Sequence, residues 1–325
     1  MSQLSRFAID AGGSTTRALV VPIEGEPQSI SLPSVNPSAR GEAADGTLRD
    51  LFARVRDLVA GSPAVGWLAC ASIDPTNIDR ERNRLLSLIG SNVLGVRVVL
   101  SNDAVPLLWS LPALAGRGVV VVCGTGAGFV GGDGAGRIVR AGGCEYLGSD
   151  EGSAFDLGLA GLRAAIRATD GRGPDTQLVA ALAEWGGCPV TELARSLSRS
   201  PYPKQRVAAI AATVSEAWIA GDGVATGIVH SAIAELLTGV RAVSNRLGLS
   251  AGFAVAGTGG VFGGCPRLFF EFSEQLSTKL GVGSVELIED NPKAVLTTLT
   301  RLLGPTGRET LPMGMLDQHA WMLMP

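Results

Sequence analysis

Short apolar runs that end in glycine and hydroxyl residues are the dominant pattern in the first half of this chain. Residues 7–21 contain two apolar runs on either side of the turn "DAGGSTT", which predicts two strands joined by a glycine turn. Residues 116–143 repeat this order, with a strand, a glycine-and-hydroxyl turn, a second strand and another turn. A later strand within 252–264 is again followed by glycines. The sequence therefore predicts turns that are rich in hydrogen-bond donors.

The remaining apolar positions predict further strands and many helices. The strands are expected at 64–71, 96–100 and 284–289. The helices are expected at 47–60, 103–115, 152–168, 176–184, 190–199, 204–220, 223–247, 265–280 and 292–303. This alternation of strands and helices predicts an α/β protein.

The strand–turn–strand pattern restarts after the stretch "LPALAGRG", which begins at Leu111, and we expect a domain boundary there. The first domain would contain residues 1–114, and a larger, more helical second domain would contain residues 115–325. Each domain would begin with a strand, a polar turn and a second strand. We therefore expect two lobes that face each other across a cleft, where ligands commonly bind.

Composition narrows the function classes. The 325 residues are 46% hydrophobic and 18% charged, which is typical of a folded enzyme. A net charge of −3 and only three lysines argue against a nucleic-acid partner and exclude the lysine-bearing phosphate loop G-x-x-x-x-G-K-[ST]. Five separated cysteines and two histidines argue against a disulfide scaffold, an iron–sulfur cluster and a zinc site. Since no apolar stretch of about 18 residues lacks charge or glycine, we expect a cytoplasmic protein without a membrane partner.

Two of the turns have the chemistry of phosphate-binding loops. The first offers backbone and hydroxyl donors from Gly12, Gly13, Ser14, Thr15 and Thr16, and Asp10 before it could hold a magnesium ion through water. An ordinary hairpin turn with Asp10 as a cap is the alternative. The second turn, "CGTGAG", offers the same donors from Gly124, Thr125 and Gly126. A dinucleotide fingerprint does not fit the second turn, because the residues after it are expected to stay extended rather than to open a helix.

Three further groups of polar residues or glycines are candidates for chemistry. Asn102 and Asp103 follow an apolar strand, so Asp103 is either a helix cap or a base that accepts a substrate hydroxyl proton. In "GGCEYLGSDEGSAFDLG" (142–158), Ser149 or Asp150 would cap the next helix, and the acids of the stretch could also accept hydrogen bonds from sugar hydroxyls. The third group allows either the close approach of adenosine or tight packing of a strand on a helix, and its members are Gly257, Thr258, Gly259 and Gly260.

The motifs "IDAGGSTTRALV", "SNDA", "CGTGAG", "SDEGSA" and "AGTGGV", in this order, resemble the actin-like ATPase and sugar kinase superfamily. More closely, the chain resembles the BadF/BadG/BcrA/BcrD ATPase family, in particular its N-acetylglucosamine kinases. The resemblance implies a fold of two actin-like (ribonuclease H-like) α/β domains with a nucleotide cleft between them. It also implies ATP and Mg²⁺ as cofactors.

The resemblance assigns a role to each motif. It implies that Asp10 serves the magnesium, that the two glycine turns contact phosphates and that Asp103 is the catalytic base. Asn36, Asn102 and Asp150 would contact the sugar, and Gly257 to Gly260 would lie near the adenosine. Family members often carry Trp-Gly before the acidic motif and Gly before its Asp, where this chain has Cys144, Glu145 and Ser149. The match is also poor from about residue 290 onward.

The expected function is therefore transfer of the ATP γ-phosphate to a hydroxyl of an amino sugar, foremost the 6-hydroxyl of N-acetylglucosamine. Two alternatives remain: a kinase of the same family that acts on glucosamine or another hexose, and a non-kinase ATPase that acts as a nucleotide-dependent switch on a protein partner. The expected partner of the kinase is a small-molecule sugar. We also expect a homodimer.

Overall fold

The computed structural model describes residues 4–59, 61–73, 77–90, 96–200, 202–303 and 319–323. Contacts divide the chain into two units. The first contains Met1–Arg117, Gly132–Ile138 and Asp290–Pro325, and the second contains Gly118–Gly131 and Val139–Glu289. The domain boundary between residues 114 and 115 stays a prediction. The contacts group the C-terminal segment with the first unit.

A mixed six-stranded sheet forms the centre of the first unit. Its strand order is β11-β5-β4-β1-β2-β3. The strands are β1 (Ser5–Ala11), β2 (Thr15–Val21), β3 (Gln28–Pro33), β4 (Ala64–Cys70), β5 (Val96–Ser101) and β11 (Ala320–Leu323). The neighbours β1, β4 and β5 run parallel, whereas β2, β3 and β11 pair in antiparallel fashion with their neighbours. The carboxyl ends of β1, β4 and β5 therefore share one edge of the sheet.

Among the described residues, the helices that accompany this sheet are α1 (Pro37–Arg40), α2 (Ala43–Val59), α3 (Ile78–Gly90) and α12 (Asn291–Leu303). The apolar face of α2 buries Leu48, Leu51 and Phe52 against β-strand residues such as Phe7. Helix α12 packs against β1 and β4, and its buried Thr298 Oγ1 donates a hydrogen bond to Pro106 O at 2.7 Å. Helix α12 is thus part of the first unit's core.

The helix expected at 103–115 was wrong, because only a single 3₁₀ turn forms there, at Pro106–Trp109. Pro106 and Pro112 lack the N–H that an α-helix interior requires, and their rings clash with the preceding turn. The side chain of Asn102 also accepts the N–H of Ala104 at 3.2 Å, which gives this backbone group a partner outside any helix. The polar helix α3 and the strands β3 and β11 were not predicted.

The second unit contains a five-stranded sheet of order β10-β9-β6-β7-β8. Its strands are β6 (Arg117–Cys123), β7 (Ala127–Asp133), β8 (Ile138–Gly142), β9 (Ala254–Thr258) and β10 (Ser284–Ile288). Its helices are α4 (Ala154–Thr169), α5 (Leu178–Gly186), α6 (Val190–Ser198), α7 (Lys204–Ala209), α8 (Ala211–Ile219), α9 (Gly223–Leu247), α10 (Gly260–Gly264) and α11 (Pro266–Leu280). Most lie close to the expected bounds, but the helix expected at 204–220 is divided into α7 and α8.

Helix α9 is the central helix of the second unit. Its 25 residues begin at the cap Asp222, whose side chain accepts the N–H of Ala225 at 2.8 Å, and end at Gly248 in the left-handed conformation. The helix is long and apolar enough to cross a membrane by length and composition, but Val229, Ile233, Leu236 and other residues of one face are buried in the hydrophobic core of this unit. Packing against α4, α8 and α11 therefore accounts for its apolar composition.

Candidate active site

The first glycine turn joins β1 to β2 and is anchored to the segment that follows β3. The last paired residues of the hairpin are Ala11 and Thr16. The hydroxyl of Ser34 donates to Gly12 O at 2.8 Å, and the fully buried Thr16 Oγ1 accepts the N–H of Val35 at 3.2 Å. Gly13 and Thr15 are exposed at the tip, with Ser14 half-buried. The hairpin is therefore held from one side while its tip stays open to a ligand.

Asp10, the penultimate residue of β1, is almost completely buried, with 8% of its surface exposed. Its Oδ2 contacts Arg17 at 3.5 Å and accepts a hydrogen bond from Asn291 Nδ2 at 3.3 Å. Desolvation, followed by the nearby charge of Asp103, raises the pKa of Asp10 to about 6, although Arg17 and Asn291 lower it. A cation would stabilise the ionised form of this carboxyl group.

Asn102 and Asp103 follow β5 at the same edge of the sheet, one strand beyond β4. The buried Asn102 uses both ends of its amide within the protein, since Nδ2 donates to Ile73 O at 3.1 Å and Oδ1 accepts from Ala104 N. Asp103 is half-buried, and its charge contributes to the raised pKa values of Asp10 and of Cys70. No α-helix starts at Asp103, so the alternative of a helix cap is wrong. The structure therefore brings two predicted carboxylates, Asp10 and Asp103, into one electrostatic environment.

Asn36 is linked to the first glycine turn by Ser34, two residues before it. Its N–H donates to Ser34 Oγ at 3.0 Å, and its carbonyl accepts from Ala39 and Arg40 at the start of α1. Only 9% of Asn36 is exposed. Because Ser34 also contacts Gly12, the segment of Asn36 and the first glycine turn are fixed to each other.

Sequence reasoning missed a polar network behind this edge. Ser72, just after β4, donates to Glu81 Oε2 at 3.1 Å, and Arg84 pairs with both Glu81 and Asp45. Arg84 also donates to Val35 O at 3.4 Å, which links α3 to the segment of Asn36. The position of Ser72 after a predicted strand was an available signal. Arg84 had no comparable signal, because α3 was not predicted.

The second glycine turn joins β6 to β7 and is braced by helix α4. Gly124 N donates to Gly126 O at 2.9 Å across the turn. The first N–H groups of α4, from Ala154 and Phe155, donate to Gly124 O and Thr125 O at 2.9 and 3.2 Å. The chain continues as strand β7 rather than as a helix, which confirms that a dinucleotide fingerprint is absent here.

Asp150 lies against this turn. It adopts a left-handed backbone conformation with φ of 75°, and only 3% of its surface is exposed. Its Oδ1 accepts the N–H of Ala127 at 3.0 Å, while a Cβ at Gly126 would lie 2.6 Å from the same oxygen. The cap of α4 is Ser153, which accepts the N–H of Asp156 at 3.3 Å, so the expected caps Ser149 and Asp150 were wrong. Asp150 holds the second turn instead.

The glycines at the end of β9 and just after it serve packing and leave one open position. A Cβ at Gly257 would lie 2.6 Å from the ring of Phe269, and one at Gly259 (φ of 109°) would lie 2.4 Å from Cys123 O. Buried Thr258 donates to Ile288 O at 2.9 Å. Gly260 is exposed, and its N would lie 3.8 Å from a Cβ at Gly124. The predicted adenosine glycines are therefore adjacent to the second phosphate turn.

The described residues fit a magnesium ion held mainly by water. Among them, no group of three or more His, Cys, Asp or Glu side chains gathers as a metal site. Mg²⁺ usually keeps several waters and binds through one or two carboxylates together with substrate phosphates. Asp10, with Asp103 nearby, is a donor set of that kind.

Comparisons with known proteins agree with the motif order. A family model described as the BadF/BadG/BcrA/BcrD ATPase family matches residues 87–281. The N-acetylmuramic acid/N-acetylglucosamine kinase of Clostridium acetobutylicum is 27% identical over 280 residues, which cover 83% of this chain and 90% of that protein. The N-acetyl-D-glucosamine kinase of Dictyostelium discoideum is 27% identical over 269 residues, which cover 77% of this chain and 82% of that protein.

Two solved structures share the fold. The protein of Porphyromonas gingivalis, named "Putative N-acetylglucosamine Kinase", aligns with a TM-score of 0.67 at 17% identity and covers 90% of this chain and 97% of its own. The protein of the same name from Chromobacterium violaceum aligns with a TM-score of 0.66 at 18% identity and covers 92% of this chain and 100% of its own. The expected fold class of two actin-like α/β domains is confirmed.

Proposed function

The chain belongs to the BadF/BadG/BcrA/BcrD ATPase family, and we propose from that premise that it is an ATP-dependent kinase that phosphorylates a hydroxyl of an amino sugar. N-acetylglucosamine is the leading acceptor, with the 6-phosphate as product, since both curated relatives carry its kinase activity in their names. Glucosamine and N-acetylmuramic acid are the next candidates, the latter because the Clostridium relative is named for it.

The observation that carries this proposal is the pair of carboxylates at the edge of the first sheet. Asp103 is half-buried at the end of β5, where it would accept the proton of the acceptor hydroxyl as the oxygen attacks phosphorus. Asp10 is almost completely buried at the end of β1 and would hold Mg²⁺ through water. Bound Mg²⁺ would neutralise charge on the transferring phosphoryl group.

The two glycine turns would bind ATP phosphates through backbone N–H groups, with hydroxyl donors from Ser14, Thr15 and Thr125. Thr16 would support the first turn from inside, because its hydroxyl oxygen accepts the N–H of Val35. The open position at Gly260 would admit the adenosine. Asn36, Asn102 and Asp150 stay predicted sugar contacts. A cytoplasmic location and a homodimer are further parts of the proposal.

ADP release measured with a coupled assay tests this function. The acceptor panel is N-acetylglucosamine, glucosamine, N-acetylmuramic acid, glucose and buffer alone. ADP release that needs an amino sugar supports the kinase, and release that is unaffected by every sugar contradicts it. The position of the phosphate on the product, determined by NMR, tests the 6-hydroxyl.

Replacing Asp103 tests the base. Because a positioned base contributes about 10²–10⁴ in rate, Asp103→Asn should lower kcat by a factor in that range while ATP affinity stays within about twofold. Asp57→Asn, at an exposed position of α2, is the matched control and should keep wild-type kcat. A kcat unchanged by Asp103→Asn would remove this residue from the mechanism.

A further inference from the structure

Lys204 is a buried lysine that bridges two carboxylates in the second unit. It begins α7, and only 11% of its side chain is exposed. Its Nζ lies 2.7 Å from Asp150 Oδ2 and 2.9 Å from Glu145 Oε2. Burial lowers the pKa of Lys204, but the hydrogen bonds and charges of Asp150 and Glu145 outweigh this effect and raise it above its ordinary value. The lysine is therefore a fixed positive charge between two loop acids.

The Asp150 side of this bridge leads to the second glycine turn. Asp150 accepts the N–H of Ala127 with Oδ1 and forms an ion pair with Lys204 through Oδ2. Gly126 lies so close that only glycine leaves room for the carboxylate. The orientation of this carboxylate and the shape of the turn therefore depend on each other.

The Glu145 side of the bridge leads to the loop between β8 and α4, residues 143–153, which we call the acidic loop. Glu145 has a left-handed backbone with φ of 65°, a conformation that glycine adopts without strain and that other residues rarely adopt. Its carbonyl accepts from Gly148 and Ser149, and its carboxylate also accepts from Tyr202 Oη at 3.2 Å. Tyr202 contacts Tyr146 edge to face, at 5.8 Å between ring centroids. Two side chains at the start of α7, Tyr202 and Lys204, therefore hold the carboxylate of Glu145 in spite of its unfavourable backbone conformation.

We propose that Lys204 is a positioning residue that holds the second phosphate turn through Asp150 and fixes the acidic loop through Glu145. This inference rests on the proposed function only for the statement that the turn binds phosphate. The physical reason is charge compensation. A buried carboxylate without a cation is strongly disfavoured, so in the absence of Lys204 the Asp150 side chain moves toward water. Its hydrogen bond to Ala127 then weakens and the turn loses its brace.

The test measures nucleotide affinity without sugar, so that any sugar contact of Asp150 does not enter the result. The probe is a non-hydrolysable ATP analogue with Mg²⁺, titrated by calorimetry into the full-length protein. We expect Lys204→Met to weaken binding at least fivefold, and Lys204→Arg to restore most of the affinity because it restores the charge. Lys279→Met is the matched control, because Lys279 is exposed on α11 and contacts Gln275, and its affinity should equal that of the wild type.

A double variant separates action through Asp150 from direct contact of Lys204 with the nucleotide. In Lys204→Met/Asp150→Asn the buried negative charge is also removed, while the amide oxygen can still accept the N–H of Ala127. Affinity should return to within about twofold of the wild type, and the melting temperature lost in the single variant should recover with it.

Three results would overturn the proposal. Wild-type affinity in Lys204→Met, even with a lowered melting temperature, would mean that the bridge only stabilises the fold. Affinity that stays weak in a folded double variant would mean that Lys204 contacts the nucleotide itself. A wild-type protein that binds no nucleotide would overturn the proposed function as well, which distinguishes the two failures.

Discussion

Asp10→Asn should remove a loss of stability that the wild-type protein undergoes as pH rises and that arises from the buried Asp10 of the candidate metal site. Burial and the charge of Asp103 raise the pKa of Asp10 from 3.8 to about 6 in the folded chain. The unfolded chain therefore loses this proton at lower pH than the folded chain. Below about pH 3.8 the group has no net effect on the free energy of unfolding, and as pH rises through 6 the folded state becomes progressively less favoured.

The magnitude follows from the shift. A difference of about 2 pKa units at 1.36 kcal/mol per unit gives about 3 kcal/mol, fully developed above pH 7. About 2 kcal/mol of this change falls between pH 4.5 and pH 7.5. The contact of Asp10 with Arg17 adds little, because it spans 3.5 Å and the Arg17 side chain is 45% exposed.

Urea unfolding of the wild type and of Asp10→Asn at several pH values, without nucleotide or metal, measures this effect. Because asparagine does not titrate, every pH-independent consequence of the substitution cancels when the two proteins are compared across pH. The stability of the wild type relative to the variant should fall by about 2 kcal/mol from pH 4.5 to pH 7.5. Asp57→Asn, at an exposed position, is the control for the loss of one surface carboxylate.

A constant difference for Asp10→Asn, or one of opposite sign, would refute the account of Asp10 as a buried carboxylate beside a second acid. If Asp10 also serves the metal, the same variant should be inactive although it is more stable than the wild type near neutral pH. A fully active Asp10→Asn would refute the metal role but leave the electrostatic argument intact.

Two further substitutions test single contacts of the candidate site. Asn291→Ala removes a hydrogen bond that lowers the pKa of Asp10, so the acid limb of the pH–rate profile should move to higher pH; an unmoved limb would exclude this contact from the working enzyme. Gly126→Ala places a Cβ 2.6 Å from the Asp150 carboxylate and should weaken nucleotide binding, as measured by calorimetry. Gly227→Ala is the control, because Gly227 is an exposed position of α9 with open space at Cβ; it should leave binding unchanged and stabilise the helix by up to about 1 kcal/mol. Equal nucleotide affinities for the wild type, Gly126→Ala and Gly227→Ala would contradict the steric argument.

The hairpins and most helices could be predicted from sequence because their signals are local. The glycine turns at 12–16 and 124–126 joined strands as expected, and helix α9 has the predicted bounds. The helix expected at 103–115 does not form, because its two prolines outweigh the apolar spacing that predicted it. Helix α3 was missed because its sequence is mostly polar, and its buried contacts come from the fold around it.

The candidate site shows the same difference between local sequence signals and contacts made by the fold. The sequence by itself determined which residues could carry the chemistry, because a glycine turn, a carboxylate after a strand and a hydroxyl beside them are features of a few consecutive residues. Only the tertiary structure decided what those residues contact: Asn291 reaches Asp10 from the far end of the chain, and Lys204 reaches Asp150 from a separate helix. The burial of a charged group and its pairing with another charge depend on residues from distant parts of the sequence, so no local sequence pattern predicts them.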